Sequence, residues 1–170
     1  SFTNKNLKEN YLKVLINYFK QVSVFKKIYK IEFKNKIPTT YFFLTDYPKK
    51  HISFNNSLMK ILKGTIFEVG HHIDPKYLEK NLLNQDRLKF GKYKKWLIGE
   101  RVHTLKFNTF DLMSLLEDSN YDYDSSLCFP QGMGYRTGFS YPHKIYDTVN
   151  KTEFNTLVIP LNIMDTTLYD

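Results

Sequence analysis

Two periodicities alternate along the chain. Leu7, Tyr11, Leu12, Leu15, Ile16, Phe19 and Val22 recur at helical spacing, which predicts an N-terminal helix with one apolar face. Ser23 stands where an N-cap would open a second helix, with Val24, Phe25, Ile28, Ile31 and Phe33 inward and Lys34-Asn35-Lys36 ending it. Pro38 blocks helix continuation, and the β-branched and aromatic run Thr39–Leu44 predicts a buried strand with Asp46 and Tyr47 at its end. Asn56 or Ser57 opens a short helix through Leu62, closed by Lys63-Gly64. Ile66–Val69 reads as a brief strand. Gly70 is expected to turn the backbone, leaving His71, His72 and Asp74 in the loop beyond. Asp74-Pro75 starts the next helix, with Tyr77, Leu78, Leu82, Leu83 and Leu88 inward. Trp96–Val102 predicts a strand, Asn108 or Thr109 caps a helix through Glu117, and Tyr121–Leu127 predicts another strand. A Gly- and Tyr-rich loop from Phe129 to Asp147 and a last strand, Leu157–Leu161, complete the pattern.

Strands alternating with helices of ten or so residues predict an α/β domain with mainly parallel strands, in a sheet or barrel. No internal repeat, low-complexity tract or linker divides the chain, so residues 1–170 are expected to form one domain, with an N-terminal helix over 1–22. That length suits one core and falls short of a complete eight-unit barrel. The polar residues with chemical potential fall at strand ends: Asp46, His72, Arg101, His103, Asp124 and Asp165. In a parallel sheet or barrel those ends converge, so the set reads as a site. Neighbours on an extended chain point opposite ways, so at most one of His71 and His72 faces it. A neutral imidazole there would bind a divalent metal or handle protons. Taken singly, each residue also has a plain structural reading: a loop histidine, an Arg101 surface pair, an Asp124 turn cap.

Charge changes this picture little. Lys and Arg total 25 against 17 Asp and Glu, a net +8, yet the lysines are scattered among Asn, Ile, Tyr and Phe rather than gathered. No nucleic-acid partner is expected on that pattern. The single Cys128 rules out an intrachain disulfide and a Cys-cluster zinc site. No Gly-rich phosphate-cradling loop appears. No apolar run reaches the roughly 18 residues a membrane helix needs, and no signal peptide shows at the start, which leaves the location open and slightly favours the cytoplasm. The chain opens on Ser rather than Met and ends soon after a strand-like run, the pattern expected of a fragment or processed chain.

Six blocks in order resemble the polysaccharide deacetylase family, the NodB-homology fold, in its subgroup associated with surface polysaccharides. They cover most of the chain from near Ser23. Ile37–Leu44 is similar to the family's second barrel strand, and Phe67-Glu68-Val69-Gly70-His71-His72 to the strand carrying its first metal-binding histidine, here His72. Gly99-Glu100-Arg101-Val102-His103 is similar to the strand bearing an active-site arginine, with the subgroup's histidine at His103. Tyr123–Leu127 resembles the strand that follows, and Gly134–Pro142 with Ile159–Asp165 resemble the subgroup's most distinctive segments.

The resemblance implies a partial or distorted (β/α) barrel and hydrolysis of an N- or O-acetyl group on a sugar by metal-activated water in the intact parent protein. The implied cofactor is a divalent metal, zinc above all, with His72 a ligand. Arg101, His103 and Asp124 would be catalytic, and Tyr135, Arg136, Tyr141 and Asp165 would bind the carbohydrate. Departures from the family pattern are specific. The acidic pair of its first motif would lie before Ser1 and its late histidine beyond Asp170, so the chain is expected to be the middle of such a barrel, with open edges and no turnover by itself. Lys76 stands where the second metal histidine would fall, and an ammonium cannot ligate a metal. The alternative is an inactive relative that binds glycan or acts as a scaffold.

Overall fold

A computed structural model describes residues 22–45, 51–164 and 167. They fall into two compact units, one running to Thr39 and taking in Gly64–Phe67, the other comprising Thr40–Lys63 and the chain from Glu68 onward. The first contains a helix over residues 22–35, α1. Ser23 lies inside it rather than capping it. Its inner stripe is Phe25 and Tyr29, whose rings lie 6.2 Å apart, with Tyr29 meeting Phe67 edge-on at 5.4 Å. Val24, Ile28, Ile31 and Phe33, expected inward, are exposed. The predicted helix over Leu7–Val22 lies outside the described residues save for Val22.

The second unit is built on a six-stranded sheet in the order β1-β2-β3-β4-β6-β5. Its strands are β1 (Thr40–Leu44), β2 (Glu68–Ile73), β3 (Leu97–Val102), β4 (Tyr123–Asp124), β5 (His143–Asp147) and β6 (Thr152–Val158). All neighbours are parallel except β5 and β6, which form an antiparallel hairpin. The α/β class and the mainly parallel pairing expected from the sequence are therefore present. The hairpin is a correction: β5 lies within what reads as a loop, and β6 starts before the expected Leu157. Asp147 shapes its turn by accepting from the Val149 and Asn150 N–H groups at 2.9 and 3.1 Å, and Lys151 takes a positive φ of 55°.

Three further helices belong to this unit: α2 (His51–Leu62), α3 (Lys80–Leu88) and α4 (Thr109–Glu117). Of the two cap candidates, Asn108 caps α4, its side chain accepting from the Phe110 and Asp111 N–H groups. Leu112, Met113 and Leu116 are the buried stripe of α4, each contributing about 1.5–3 kcal/mol by leaving water. Asp74 caps a short 3-10 turn, Pro75–Tyr77, and α3 starts only at Lys80. Leu88, expected inward, is exposed, and the inner positions of α3 are Leu83 and Asp86. No described helix is long and apolar enough to cross a membrane.

The largest departure from the sequence reading is at Gly70. It does not turn the chain. β2 continues through it, with a shift in register against β3 between Val69 and Gly70, so both histidines are strand residues. Glycine serves close approach here: a Cβ on Gly70 would lie 2.5 Å from the Phe42 ring and 3.1 Å from the Gly99 carbonyl oxygen.

Candidate functional site

Strand alternation sends His71 and His72 to opposite faces of the sheet. His71 is fully buried. Its Nε2 lies 2.9 Å from Asp86 Oδ2 on α3 and its Nδ1 2.5 Å from the Tyr121 hydroxyl. Asp86 also accepts from Thr45 and pairs with Lys89 at 2.8 Å. Burial lowers the His71 pKa against the pull of Asp86, so the ring is a neutral link in a core network.

His72 faces a cleft of about 530 Å³ at the carboxyl ends of β2 and β3. Its polar side is formed by His72, Arg101, His103 and Thr104, and its apolar wall by Leu105, Leu161, Ile163 and Met164. In open parallel sheets this is the end at which ligands sit. His72 Nδ1 lies 2.9 Å from the Arg101 carbonyl oxygen, which only accepts, so the ring proton is on Nδ1. The Nε2 lone pair then points at His103 Nδ1, 3.0 Å away, with the two rings edge to face. Burial, and next the nearby His103, pushes the His72 pKa down to about 4, so the ring is neutral at pH 7. The proton between the rings therefore belongs to His103.

That geometry can be tested against a divalent metal. Two zinc–nitrogen bonds of about 2.0–2.1 Å at a tetrahedral angle place their nitrogens about 3.4 Å apart. His103 is exposed, and a shift of a few tenths of an ångström would open the 3.0 Å pair to that span once the shared proton is displaced. His72 is already held by a backbone carbonyl, the kind of support that metal-bound imidazoles receive. The pair fits as two neutral ligands. Among the described residues no group of three His, Cys, Asp or Glu is placed to hold a metal, so no third protein ligand is identified. Lys76 Nζ lies 3.6 Å from Asp74 Oδ2 and 5.2 Å from the Tyr77 ring.

Arg101 is in register with His72, and its side chain lies on the same face. Nε–H donates to the Ser125 carbonyl at 3.0 Å and an Nη2–H to Ser125 Oγ at 2.9 Å, while the guanidinium sits 4.4 Å over the Phe42 ring. Beneath it, Tyr123 donates to Glu68, which also accepts from Thr40 at 3.1 Å. The Tyr123 ring occupies the space a Gly99 side chain would take, with a Cβ there only 1.9 Å from Cζ. The cleft rim is strained. Thr104 and Leu105 hold φ of 61° and 54°, the left-handed region that a β-branched residue rarely adopts.

Three of the sequence-derived site residues thus share one cleft: His72, Arg101 and His103. Asp124 does not line it. It is fully buried on the opposite face, in register with Glu100, and its Oδ1 accepts from the Ser126 N–H at 2.9 Å. Neither Glu100 oxygen nor Asp124 Oδ2 has an ordinary hydrogen-bond partner. Burial, and then the Asp124 charge, raises the Glu100 pKa well above the carboxylate range, so Glu100 carries a proton between the two groups. Tyr135 is half-buried and Arg136 exposed, its guanidinium 6.0 Å from the Phe107 ring. Both follow Gly134, whose N–H donates to Asn162 O and Oδ1, between the wall residues Leu161 and Ile163. Tyr141 instead joins Phe139 and His143 in an exposed ring cluster. Asp165 and Asp46 lie outside the described residues.

No family model, curated protein or solved structure matches this chain. The site is therefore read from its own geometry. Sequence reasoning passed over Ser125 as the Arg101 anchor, Phe42 as its platform and Glu100 as the partner of Asp124. For Glu100 a signal was present: it neighbours Arg101 on a strand, so the two had to face opposite ways.

Proposed function

We propose that this chain carries part of a polysaccharide-deacetylase-like site within a partial (β/α) barrel. Its cleft would handle an acetylated sugar, with His72 and His103 holding a divalent metal. One observation carries the reading: two imidazole nitrogens 3.0 Å apart at the carboxyl ends of parallel strands, one of them neutral and oriented by a backbone carbonyl. The order of the sequence blocks agrees with it. A bound metal supplies Lewis acidity and a water of lowered pKa. The chain's own residues do the rest: His72 presents a fixed lone pair, Arg101 sets a positive charge beside it, and the apolar wall excludes water from one side.

A second reading, a glycan-binding relative without catalysis, is favoured by the lack of a third ligand among the described residues. Acetate release from acetylated chito-oligosaccharides by the full-length protein, with zinc, cobalt or nickel added, separates the two. Metal-dependent turnover abolished by His72→Ala supports the hydrolase. Saturable oligosaccharide binding without turnover supports the second reading. Neither turnover nor binding would contradict both.

A further inference from the structure

Charge is distributed unevenly along the chain. Residues 1–36 hold nine lysines against only Glu9 and Glu32, a net +7 of the chain's +8, so the rest is close to neutral. The lysines are single residues among Asn, Ile and Tyr, and it is a helix that gathers them. At about 100° per residue, Lys26, Lys27, Lys30 and Lys34 fall on one side of α1, and all four are exposed. Beside them runs an apolar stripe. Val24, Ile28 and Ile31 follow one another by four and three residues, and are 56%, 44% and 59% exposed. Lys27 and Lys34 border this stripe, Lys27 three residues after Val24 and Lys34 three after Ile31. Glu32, the only acid in α1, follows Ile28 by four residues on the other flank. The packed face of α1 is a different one, where Phe25 stacks on Tyr29 and Tyr29 meets Phe67. Phe33, Ile37 and Ile66 of the same unit are exposed as well.

An apolar stripe of this kind calls for a partner, and its charged border selects which. Residues 1–20 bring Lys5, Lys8, Lys13 and Lys20 against Glu9, so laying them over the stripe would set lysine against lysine. A second copy of α1 would do the same. A nucleic acid would match the lysines but leave Val24, Ile28 and Ile31 in water. An anionic bilayer meets both halves of the surface at once. We infer that α1 docks along the surface of an anionic membrane. Val24, Ile28 and Ile31 enter the boundary between headgroups and acyl chains, while Lys27 and Lys34 reach back to the headgroup phosphates. The helix lies in the plane of the interface, being as described neither long nor apolar enough to cross it. Nothing in this depends on the cleft or on a metal.

Co-sedimentation of the full chain tests this with vesicles of phosphatidylcholine alone and of phosphatidylcholine with about 30% phosphatidylglycerol. Binding to a random-sequence DNA duplex at the same salt is the third arm. The anionic vesicles are expected to bind at least about tenfold more tightly than the neutral ones, and about 0.5 M salt should remove the difference. Lys27→Gln with Lys34→Gln should weaken anionic binding about 20-fold, each lysine near the surface being worth about fivefold. Ile28→Gln with Ile31→Gln leaves the charge alone and should weaken it about tenfold. All four side chains are exposed, so circular dichroism of both variants should match the parent. Equal binding to anionic and neutral vesicles would overturn the inference. So would an isoleucine variant that binds anionic vesicles as well as the parent, because charge alone would then act. DNA bound more tightly than vesicles, with the isoleucines irrelevant, would overturn it in favour of a nucleic acid. Vesicle silence would overturn it too: a lowered Tm of the isoleucine variant would then assign the stripe to residues 1–20, and a dimeric mass to a second copy.

Discussion

Replacing Glu100 by Gln should stabilise this protein at neutral to mildly alkaline pH. The side chain is fully buried, neither oxygen has an ordinary hydrogen-bond partner, and it shares its surroundings with the equally buried Asp124. Its pKa is raised, first by burial and then by the Asp124 charge. The unfolded chain gives up this proton near pH 4.3, whereas the folded protein holds it to higher pH. Between those values the native state binds more protons, so stability falls as pH rises. A glutamine has no proton to lose, and its amide can donate to Asp124 at every pH, as the Glu100 carboxyl does only while it keeps its proton. Keeping that buried contact made after Glu100 would have ionised is worth about 1–3 kcal/mol. In a chain of this length that is a rise of about 2–12 °C in Tm. Other groups titrate against this trend. His71 and His72 are held neutral by burial, so their contribution to stability grows as pH rises towards about 6.5. The informative quantity is therefore the difference between variant and parent, from urea unfolding at several pH values between 4 and 8. The difference should be near zero at pH 4 and grow in favour of the variant towards pH 8. A variant less stable at pH 8, or a difference flat with pH, would refute the reasoning.

Gly99→Ala should destabilise by about 2–5 kcal/mol, because the added Cβ displaces the Tyr123 ring and breaks its bond to Glu68; a Tm within 2 °C of the parent would contradict the packing. Asp86→Ala should cost about 3–5 kcal/mol, since it strips Thr45, His71 and Lys89 of one shared acceptor at once; denaturant unfolding at pH 7 measures it, and a loss under 1 kcal/mol would contradict the network.

Much of this architecture was legible where one local signal acted alone. Asn108 before an apolar stripe gave the start of α4, and the Thr39–Leu44 run gave β1 to within one residue. The rest depended on partners distant in sequence. Gly70 looks like a turn until Phe42 and the Gly99 carbonyl are seen to need its missing side chain. Ser23 looks like a cap until α1 is seen to run through it. The β5 strand was hidden because its five residues, His143–Asp147, pair only with β6 at the sheet edge. At the site, His72, Arg101 and His103 were recoverable because all three stand at strand ends. Asp124 stands at one too, but strand ends say nothing about which face a side chain takes. Register with Glu100 and the alternation of β3 decide that, and they place it away from the cleft.

The central claim is that His72 and His103 offer two nitrogens to a metal while His71 does not. Long-range proton–nitrogen correlation of the imidazole rings tests it directly, first in metal-free protein across pH and then with zinc added. Metal-free His72 should stay neutral, as the Nδ1–H tautomer, down to about pH 4. One equivalent of zinc should shift His72 Nε2 and His103 Nδ1 together and leave His71 unmoved. A His72 that titrates near 6.5, or zinc that leaves both rings unchanged, would contradict the account.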